Sequence, residues 1–163
     1  MAKRIPGKDE FHETLRYFDF MLTHFNVNLK LNTEANVNSL LDFDHILLAT
    51  GVKPRAWNIP GSETSEVLSY LDVLKGKVEP GKRVAIIGAG GIGFDVAEYL
   101  THTKQPGFYE EWGIDQSLRN RGGLHKPVRI KSPRSIHVFQ RSPGKVGGKL
   151  GKTTGWIHRL QLK

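Results

Sequence analysis

A short apolar segment that runs directly into a group of glycines places the strongest constraint on how this chain folds. Four apolar residues from Val84 are followed by Gly88, Gly90 and Gly93, and a helix-forming segment comes next. A buried strand that turns into a helix at such glycines is the context of a dinucleotide-binding turn. The first glycine permits the tight turn, the second lets the backbone approach a pyrophosphate, and the third lets helix and strand pack closely. The alternative is a tight strand-to-helix turn that binds no ligand.

The segment therefore predicts an α/β, Rossmann-like dinucleotide-binding fold. Unpaired N–H groups at the start of the helix would face the anionic pyrophosphate. The candidate cofactor-binding residues of this turn are Gly88, Ala89, Gly90, Gly91, Ile92 and Gly93.

The end of the next expected strand indicates which dinucleotide binds. Residues 135–139 have a strand pattern and are followed by Gln140, Arg141 and Ser142, where an NAD site would present a carboxylate. A guanidinium in place of that carboxylate suits the 2′-phosphate of NADPH. We therefore expect NADPH to be preferred over NADH, with Arg141 as the discriminating residue and Ser142 or Lys145 assisting. An exposed arginine at a strand end is the simpler alternative.

Between these strands lies a long polar insertion, residues 103–134. A structureless loop of that length is uncommon in a compact domain and is usually functional or mobile. Trp112 and Ile114 are the side chains expected to anchor it. After the second strand, residues 143–153 form a glycine- and lysine-rich loop that does not fit a P-loop, because Val146 stands where the first glycine is required. We expect a flexible loop leading to a helix that Thr153 or Thr154 caps.

The first third of the chain predicts one helix and two strands. Residues 9–25 carry apolar side chains at alternating steps of four and three, which predicts an amphipathic helix with a core-facing stripe. Residues 27–31 alternate like a short strand. Residues 44–50 form a mostly apolar buried strand that delivers Ala49, Thr50 and Gly51 to a turn. Such a small-residue turn lets the backbone approach a ligand, although a plain strand end is the alternative.

The connection between the two halves also carries local signals. Residues 60–64 are polar and turn-rich, and they are the best candidate for a domain boundary. Ser69 with Asp72 three residues later predicts a capping box, in which each side chain satisfies an N–H group at the helix start. The helix would run through Leu74, and Gly76 would end it.

Composition narrows the chemistry that the chain can carry. It has 163 residues and no cysteine, which excludes disulfides, a thiol nucleophile and thiolate-bound metal sites. Its seven histidines are scattered, so we predict no metal site and name no catalytic residue. Residues 1–115 carry 12 basic and 16 acidic residues, whereas residues 116–163 carry 12 basic and none acidic. The alternative function is therefore a non-catalytic basic module that binds nucleic acid or an acidic protein.

The turn at residues 49–51, followed by the glycine turn about forty residues later, resembles the flavoproteins with two dinucleotide-binding domains. In them such an Ala-Thr-Gly element lies near FAD. The chain is more closely similar to the bacterial-type NADPH-dependent 2,4-dienoyl-CoA reductases, which are old-yellow-enzyme-related iron-sulfur flavoproteins. The segments that carry this resemblance are 2–8 (AKRIPGK), 14–17 (TLRY), 67–74 (VLSYLDVL), 88–95 (GAGGIGFD), 111–115 (EWGID) and 150–159 (LGKTTGWIHR).

The resemblance implies an interior piece of a longer enzyme. Residues 1–61 would be the later part of an FAD-binding domain, whose own glycine fingerprint would lie upstream of Met1. Residues 62–163 would be an NADPH-binding domain truncated on its carboxyl-terminal side, so both sheets would be incomplete. The FMN-binding barrel and the 4Fe-4S site of that family are expected only in other parts of the full-length protein.

The resemblance also implies partners and a setting. Electrons would pass from NADPH through FAD, the iron-sulfur cluster and FMN to an acyl-CoA substrate of fatty acid β-oxidation. The site near FAD would include Ala49, Thr50 and Gly51. The chain lacks an apolar run long enough to span a bilayer and has no signal-peptide pattern at its start, so a cytoplasmic setting is expected. Alone, the chain is expected to be inactive and to self-associate through apolar faces meant for absent strands.

Overall fold

The computed structural model describes residues 1–102, 107–128 and 131–162. Parts of the predicted insertion, 103–106 and 129–130, lie outside the described residues. The helices and strands are, in chain order, α1 (Phe11–His24), α2 (Tyr70–Lys75), β1 (Arg83–Ile87), α3 (Gly91–Thr101), α4 (Phe108–Trp112), β2 (Ser135–Phe139) and α5 (Gly155–Gln161). Two compact units divide the chain: Met1–Phe11 with Leu68–Lys163, and His12–Val67. Within the described ranges, every helix is too short or too polar to cross a membrane.

The larger unit is built on a parallel pair of strands. Strands β1 and β2 pair in register from Arg83 opposite Ser135 to Ile87 opposite Phe139, and α3 lies between them in the chain. Helix α3 packs against both strands. Two parallel strands joined through a helix form the βαβ arrangement that the glycine pattern predicts. The Rossmann-like α/β fold is therefore confirmed, and the described sheet has two strands.

The core of this unit lies where α2 and α3 meet the amino-terminal segment. Its buried residues are Ile5, Val73, Leu74, Val96 and Leu100, and side chains from both strands pack against them. Each fully buried side chain of this kind stabilises the fold by about 1.5–3 kcal/mol.

Arginines tie the ends of the elements to this core. Arg4 donates from Nη1 to the Leu74 carbonyl at 2.7 Å. Arg134, just before β2, donates to the carbonyls of Pro80 at 3.4 Å and Leu100 at 3.3 Å. Arg4 therefore holds the amino-terminal segment against the end of α2, and Arg134 holds the starts of β1 and β2 against the end of α3.

Helix α2 confirms half of the predicted capping box. The Ser69 hydroxyl accepts a hydrogen bond from the Leu71 N–H at 3.2 Å, and Gly76 ends the helix in the left-handed conformation with φ of 70°. The predicted reciprocal bond from the Asp72 carboxylate is wrong, because this side chain instead pairs with Lys77 at 3.6 Å. In the common form of the capping box, a longer Glu or Gln side chain at this position reaches back to the N-cap N–H, and the shorter Asp72 does not do so here.

The described part of the insertion contains local structure. It contains α4, which ends at Gly113 with φ of 65°. Ile114 forms an antiparallel backbone bridge with Leu124 within the insertion, so the anchoring role of its side chain stays a prediction. The Trp112 ring lies 6.1 Å from that of Phe108.

The smaller unit, residues 12–67, departs furthest from the sequence predictions. The strands predicted at 27–31 and 44–50 are wrong, since neither segment pairs with another in this unit. Leu47 and Leu48 are 92% and 86% exposed. A strand is stable only when its backbone groups pair with a neighbouring strand, and residues 12–67 supply none.

Two helix predictions need similar correction. Helix α1 forms as predicted but buries none of its residues, so its apolar stripe is not a core face here. Helix α5 begins after Thr154, whose side chain makes no capping bond. Its φ and ψ of −110° and −15° are helical, whereas a capping side chain requires an extended backbone. Trp156 and Leu160 on its apolar side are 55% and 53% exposed.

Candidate dinucleotide site

The glycine turn joins the end of β1 to the start of α3. Gly88 has φ of 120°, a conformation that side chains rarely allow, and its N–H donates to the Phe139 carbonyl at 2.8 Å. Gly90 caps α3 with an extended backbone, φ of −87° and ψ of −175°. The chain thus leaves the sheet at Gly88 and begins an 11-residue helix within three residues. No acidic residue lies in the first turn of that helix.

The glycines of the turn meet two different steric conditions. A Cβ atom added to Gly93 would lie 1.9 Å from the Gly88 carbonyl oxygen, so only glycine fits where helix and strand cross. A Cβ at Gly88, Gly90 or Gly91 would meet nothing within 4 Å. The backbone is therefore open on one side of the turn and closely packed on the other. This arrangement fits a dinucleotide, because a pyrophosphate could approach the open backbone while the third glycine keeps the helix close.

Lys8 lies close to the start of α3, although nothing in the sequence pattern placed it there. Its Nζ atom forms an ion pair with Asp95 Oδ1 at 2.5 Å, and both side chains are about three-quarters buried. The lysine charge offsets the carboxylate on the second turn of the helix. An anion at the helix start therefore does not face an unpaired negative charge on Asp95.

The end of β2 lies at the same edge of the sheet as the glycine turn. Because the strands are parallel and in register, Gln140 follows β2 at the level where Gly88 follows β1. The structure thus brings residues 88–93 and 140–142 to one edge, as the sequence predicts. Arg141 and Ser142 are exposed there, and so is Lys145. The Gln140 amide Nε2 donates to two carbonyls of the following loop, those of Ser142 at 2.8 Å and Gly144 at 3.1 Å.

The loop after these residues is fastened to α3 at its middle. Gly147 is buried with φ of 69°, and a Cβ there would lie 2.6 Å from Phe94 Cζ. Arg159 of α5 donates from Nη1 to the Gly147 carbonyl at 3.1 Å. His158 Nδ1 lies 3.1 Å from Oε1 of the buried Glu98. The loop expected to be flexible therefore packs, at Gly147, against Phe94 in the first turns of α3.

Asp115 organises the insertion, and sequence reasoning did not single it out. Its carboxylate accepts four hydrogen bonds, from the backbone N–H and side chain of Ser117 and from those of Asn120, at 2.6–2.9 Å. These bonds, led by the one from the Ser117 hydroxyl, lower the pKa of Asp115 to about 2. The sequence signal that could have identified Asp115 is its place at the start of a turn, since Asp readily accepts hydrogen bonds from backbone N–H groups two or more residues later.

The residues expected near FAD form no cradle in the smaller unit. Ala49, Thr50 and Gly51 are exposed, and a Cβ at Gly51 would meet nothing within 4 Å. The adjoining Val52 is 99% exposed. These residues alone therefore do not fit a buried flavin. In the described ranges, no three His, Asp or Glu side chains converge as metal ligands would.

Comparisons with known proteins agree with the dinucleotide turn. Residues 16–114 match the model of the family described as pyridine nucleotide-disulphide oxidoreductase. The match includes the whole glycine turn and stops before β2, so it does not bear on Arg141.

This chain is also similar to individual reductases and to one solved reductase structure. A cinnamate reductase of Clostridium sporogenes is 35% identical over 59% of this chain and 15% of its own length. A component of the alkyl hydroperoxide reductase of Escherichia coli is 32% identical over 79% of this chain and 26% of that protein. A 2-naphthoyl-CoA reductase, solved with 2-naphthoyl-CoA, has a TM-score of 0.65 at 22% identity, covering 99% of this chain and 20% of that chain. The present chain thus spans about a quarter or less of the length of these proteins.

Proposed function

Because the chain belongs to the pyridine nucleotide-disulphide oxidoreductase family, we propose that residues 62–163 bind NADPH and orient it toward FAD in a flavin-dependent oxidoreductase. The open backbone at Gly88, Gly90 and Gly91 carries the proposal, because a pyrophosphate needs this approach to a helix start. Bound NADPH supplies a hydride, while the protein supplies binding and orientation.

The preference for NADPH rests on the loop after β2. Arg141 is exposed at the edge of the sheet that carries the glycine turn, and it stands where an NAD site has a carboxylate. A guanidinium paired with a phosphate contributes about 1.5–3 kcal/mol, which is a tenfold or larger preference in affinity. Ser142 or Lys145 would add a second contact to the 2′-phosphate.

The rest of the electron path is proposed for the whole protein. Residues 1–61, including Ala49, Thr50 and Gly51, would contribute to an FAD site completed by segments beyond this chain. The CoA thioester named with the structural relative and the cinnamate reductase are consistent with an enoyl-CoA type of substrate. Resemblance to 2,4-dienoyl-CoA reductases supports FMN and a 4Fe-4S cluster as later carriers, outside this chain.

A basic module that binds nucleic acid is the weaker candidate. Two arginines of the basic segment serve the fold itself, because Arg134 bonds to Glu79 and to backbone carbonyls, and Arg159 bonds to Gly147. The glycine turn and the family match have no role in that function.

Gly90→Ala provides a direct test of the site. The new methyl group meets no protein atom, and φ at this residue is negative, so the fold should tolerate it. The methyl group would nevertheless occupy the space that a pyrophosphate needs. We expect at least a tenfold loss of NADPH affinity by calorimetric titration, with little change in thermal stability without ligand.

Gly81→Ala is the matched control. It also adds a methyl group in open space, but in the turn before β1 rather than after it. We expect this variant to bind NADPH like the unmodified chain. Equal affinity of both variants would show that the pyrophosphate does not lie against Gly90, and the proposed site would be wrong.

A further inference from the structure

The loop that carries Arg141 is held in place by the residue before it. Both hydrogen bonds of the Gln140 amide nitrogen go to carbonyls of the next four residues, Ser142 and Gly144. A primary amide has two N–H donors, so this side chain uses its full donor capacity on the loop. The Gln140 side chain therefore spans the loop on either side of Arg141 and fixes the course of its backbone.

The same loop is fixed at its far side. Gly147 packs against Phe94 of α3, and Arg159 binds the Gly147 carbonyl. Because Phe94 lies on the helix that begins at the glycine turn, the loop has an anchor on the element that would hold the pyrophosphate. Between this anchor and the end of β2, the Gln140 amide is the side-chain contact that shapes the course of the backbone in the described structure.

A held loop matters for affinity because the arginine side chain is long and exposed. Ordering such a side chain and its backbone on binding costs free energy that reduces the gain from the contact. A loop already closed by hydrogen bonds has less freedom to lose. The contribution of Gln140 would then reach the ligand only through Arg141.

We propose that Gln140 is a positioning residue that presents Arg141 to the 2′-phosphate of NADPH, and that it does not itself contact the cofactor. This inference rests on the proposed NADPH function of the same site. It replaces the expectation that Gln140 is a cofactor ligand, because its donors are already used within the protein.

Gln140→Met tests the proposal. Methionine has a similar length and no charge, but it cannot donate to either carbonyl. Gln140→Glu is avoided, because a new carboxylate would repel the phosphate directly. Affinities for NADPH and NADH are measured by titration calorimetry on the complete 163-residue chain, in four forms: unmodified, Gln140→Met, Arg141→Ala and the double variant.

We expect Gln140→Met to weaken NADPH binding about fivefold or more and to leave NADH binding unchanged. Unchanged NADH binding also shows that the variant is folded. In the Arg141→Ala background, the same substitution should have no further effect, since coupled residues are not additive.

Three results would overturn the inference. Wild-type NADPH affinity in Gln140→Met would mean that the amide does not position the arginine. If Gln140→Met weakened NADPH and NADH binding equally, and did so in the Arg141→Ala background as well, then Gln140 would contact the portion of the molecule that the two cofactors share. If Arg141→Ala itself did not reduce the preference for NADPH over NADH, the proposed cofactor preference would fail as well, which distinguishes that failure from the first two.

Discussion

Replacement of Gly93 by alanine should destabilise the larger unit strongly, although alanine is the better helix former. The added Cβ would lie 1.9 Å from the Gly88 carbonyl oxygen, whereas real Cβ contacts stay beyond 3.0 Å, so the backbone must shift by about 1.1 Å. Overpacking of this kind costs about 1–3 kcal/mol. The shift also strains the hydrogen bond from Gly88 to Phe139, which contributes about 1 kcal/mol. We therefore expect Gly93→Ala to lower the free energy of unfolding by about 2–4 kcal/mol.

Gly91→Ala is the control for this measurement. It lies in the same helix, and its Cβ meets nothing within 4 Å, so its stability should be unchanged or up to about 1 kcal/mol higher. Both variants are unfolded in urea and followed by circular dichroism at a helix-sensitive wavelength. If the free energies of unfolding of Gly93→Ala and Gly91→Ala differed by less than about 0.5 kcal/mol, the close crossing of α3 and β1 would not be essential, and the steric reasoning would be refuted.

Two further substitutions test the segments around the site. Because hydrogen bonds lower the pKa of Asp115 from 3.8 to about 2, the ionised carboxylate stabilises the folded insertion above pH 3.8, and this stabilisation is lost as the pH falls toward 2. At pH 7, amide hydrogen exchange of residues 107–128 should therefore be faster in Asp115→Asn than in the unmodified chain. If this difference in exchange rate were the same at pH 2, the result would contradict the stabilising role of the ionised carboxylate. Gly147→Ala should lower the free energy of unfolding in urea by about 1–3 kcal/mol more than Gly144→Ala does. Both glycines have positive φ, but only a Cβ at Gly147 would meet Phe94. Equal destabilisation by both substitutions would show that the loop does not need this contact.

Local sequence signals were sufficient where one segment contains all the necessary information. The apolar runs of β1 and β2 are bounded by turn residues, and Ser69 and Gly76 mark the ends of α2. The glycine spacing identified the turn because its two steric requirements are local: the positive φ of Gly88 and the close approach of Gly93 to the Gly88 carbonyl. These features follow from backbone geometry rather than from distant packing.

The strand and core-face predictions that failed were those that required a partner segment that residues 12–67 do not supply. The apolar pattern of residues 44–50 is that of a buried strand, but the unit of residues 12–67 supplies no strand to pair with it. The stripe on α1 is likewise not buried against other apolar side chains of its own unit. A hydrophobic pattern indicates which face should be covered, but whether it is covered depends on other segments.

Parts of the candidate site could not be read from the sequence for a related reason. The contact of Gly147 with Phe94 joins residues far apart in the chain, and so does the Lys8 pair with Asp95. The role of Gln140 depends on the turn that follows β2, which no pattern of residue types specifies. Tertiary placement decided the first two, and the local course of the loop decided the third.

The most direct test of the central proposal is to compare NADPH and NADH binding to the unmodified chain, Arg141→Ala and a control, Arg119→Ala. Arg119 is also an exposed arginine, but it lies in the insertion. By titration calorimetry, we expect one NADPH to bind at least tenfold more tightly than NADH to the unmodified chain and the control. Arg141→Ala should remove that difference. Equal binding of both nucleotides to all three proteins, or binding of neither, would contradict the assignment of an NADPH site at the glycine turn.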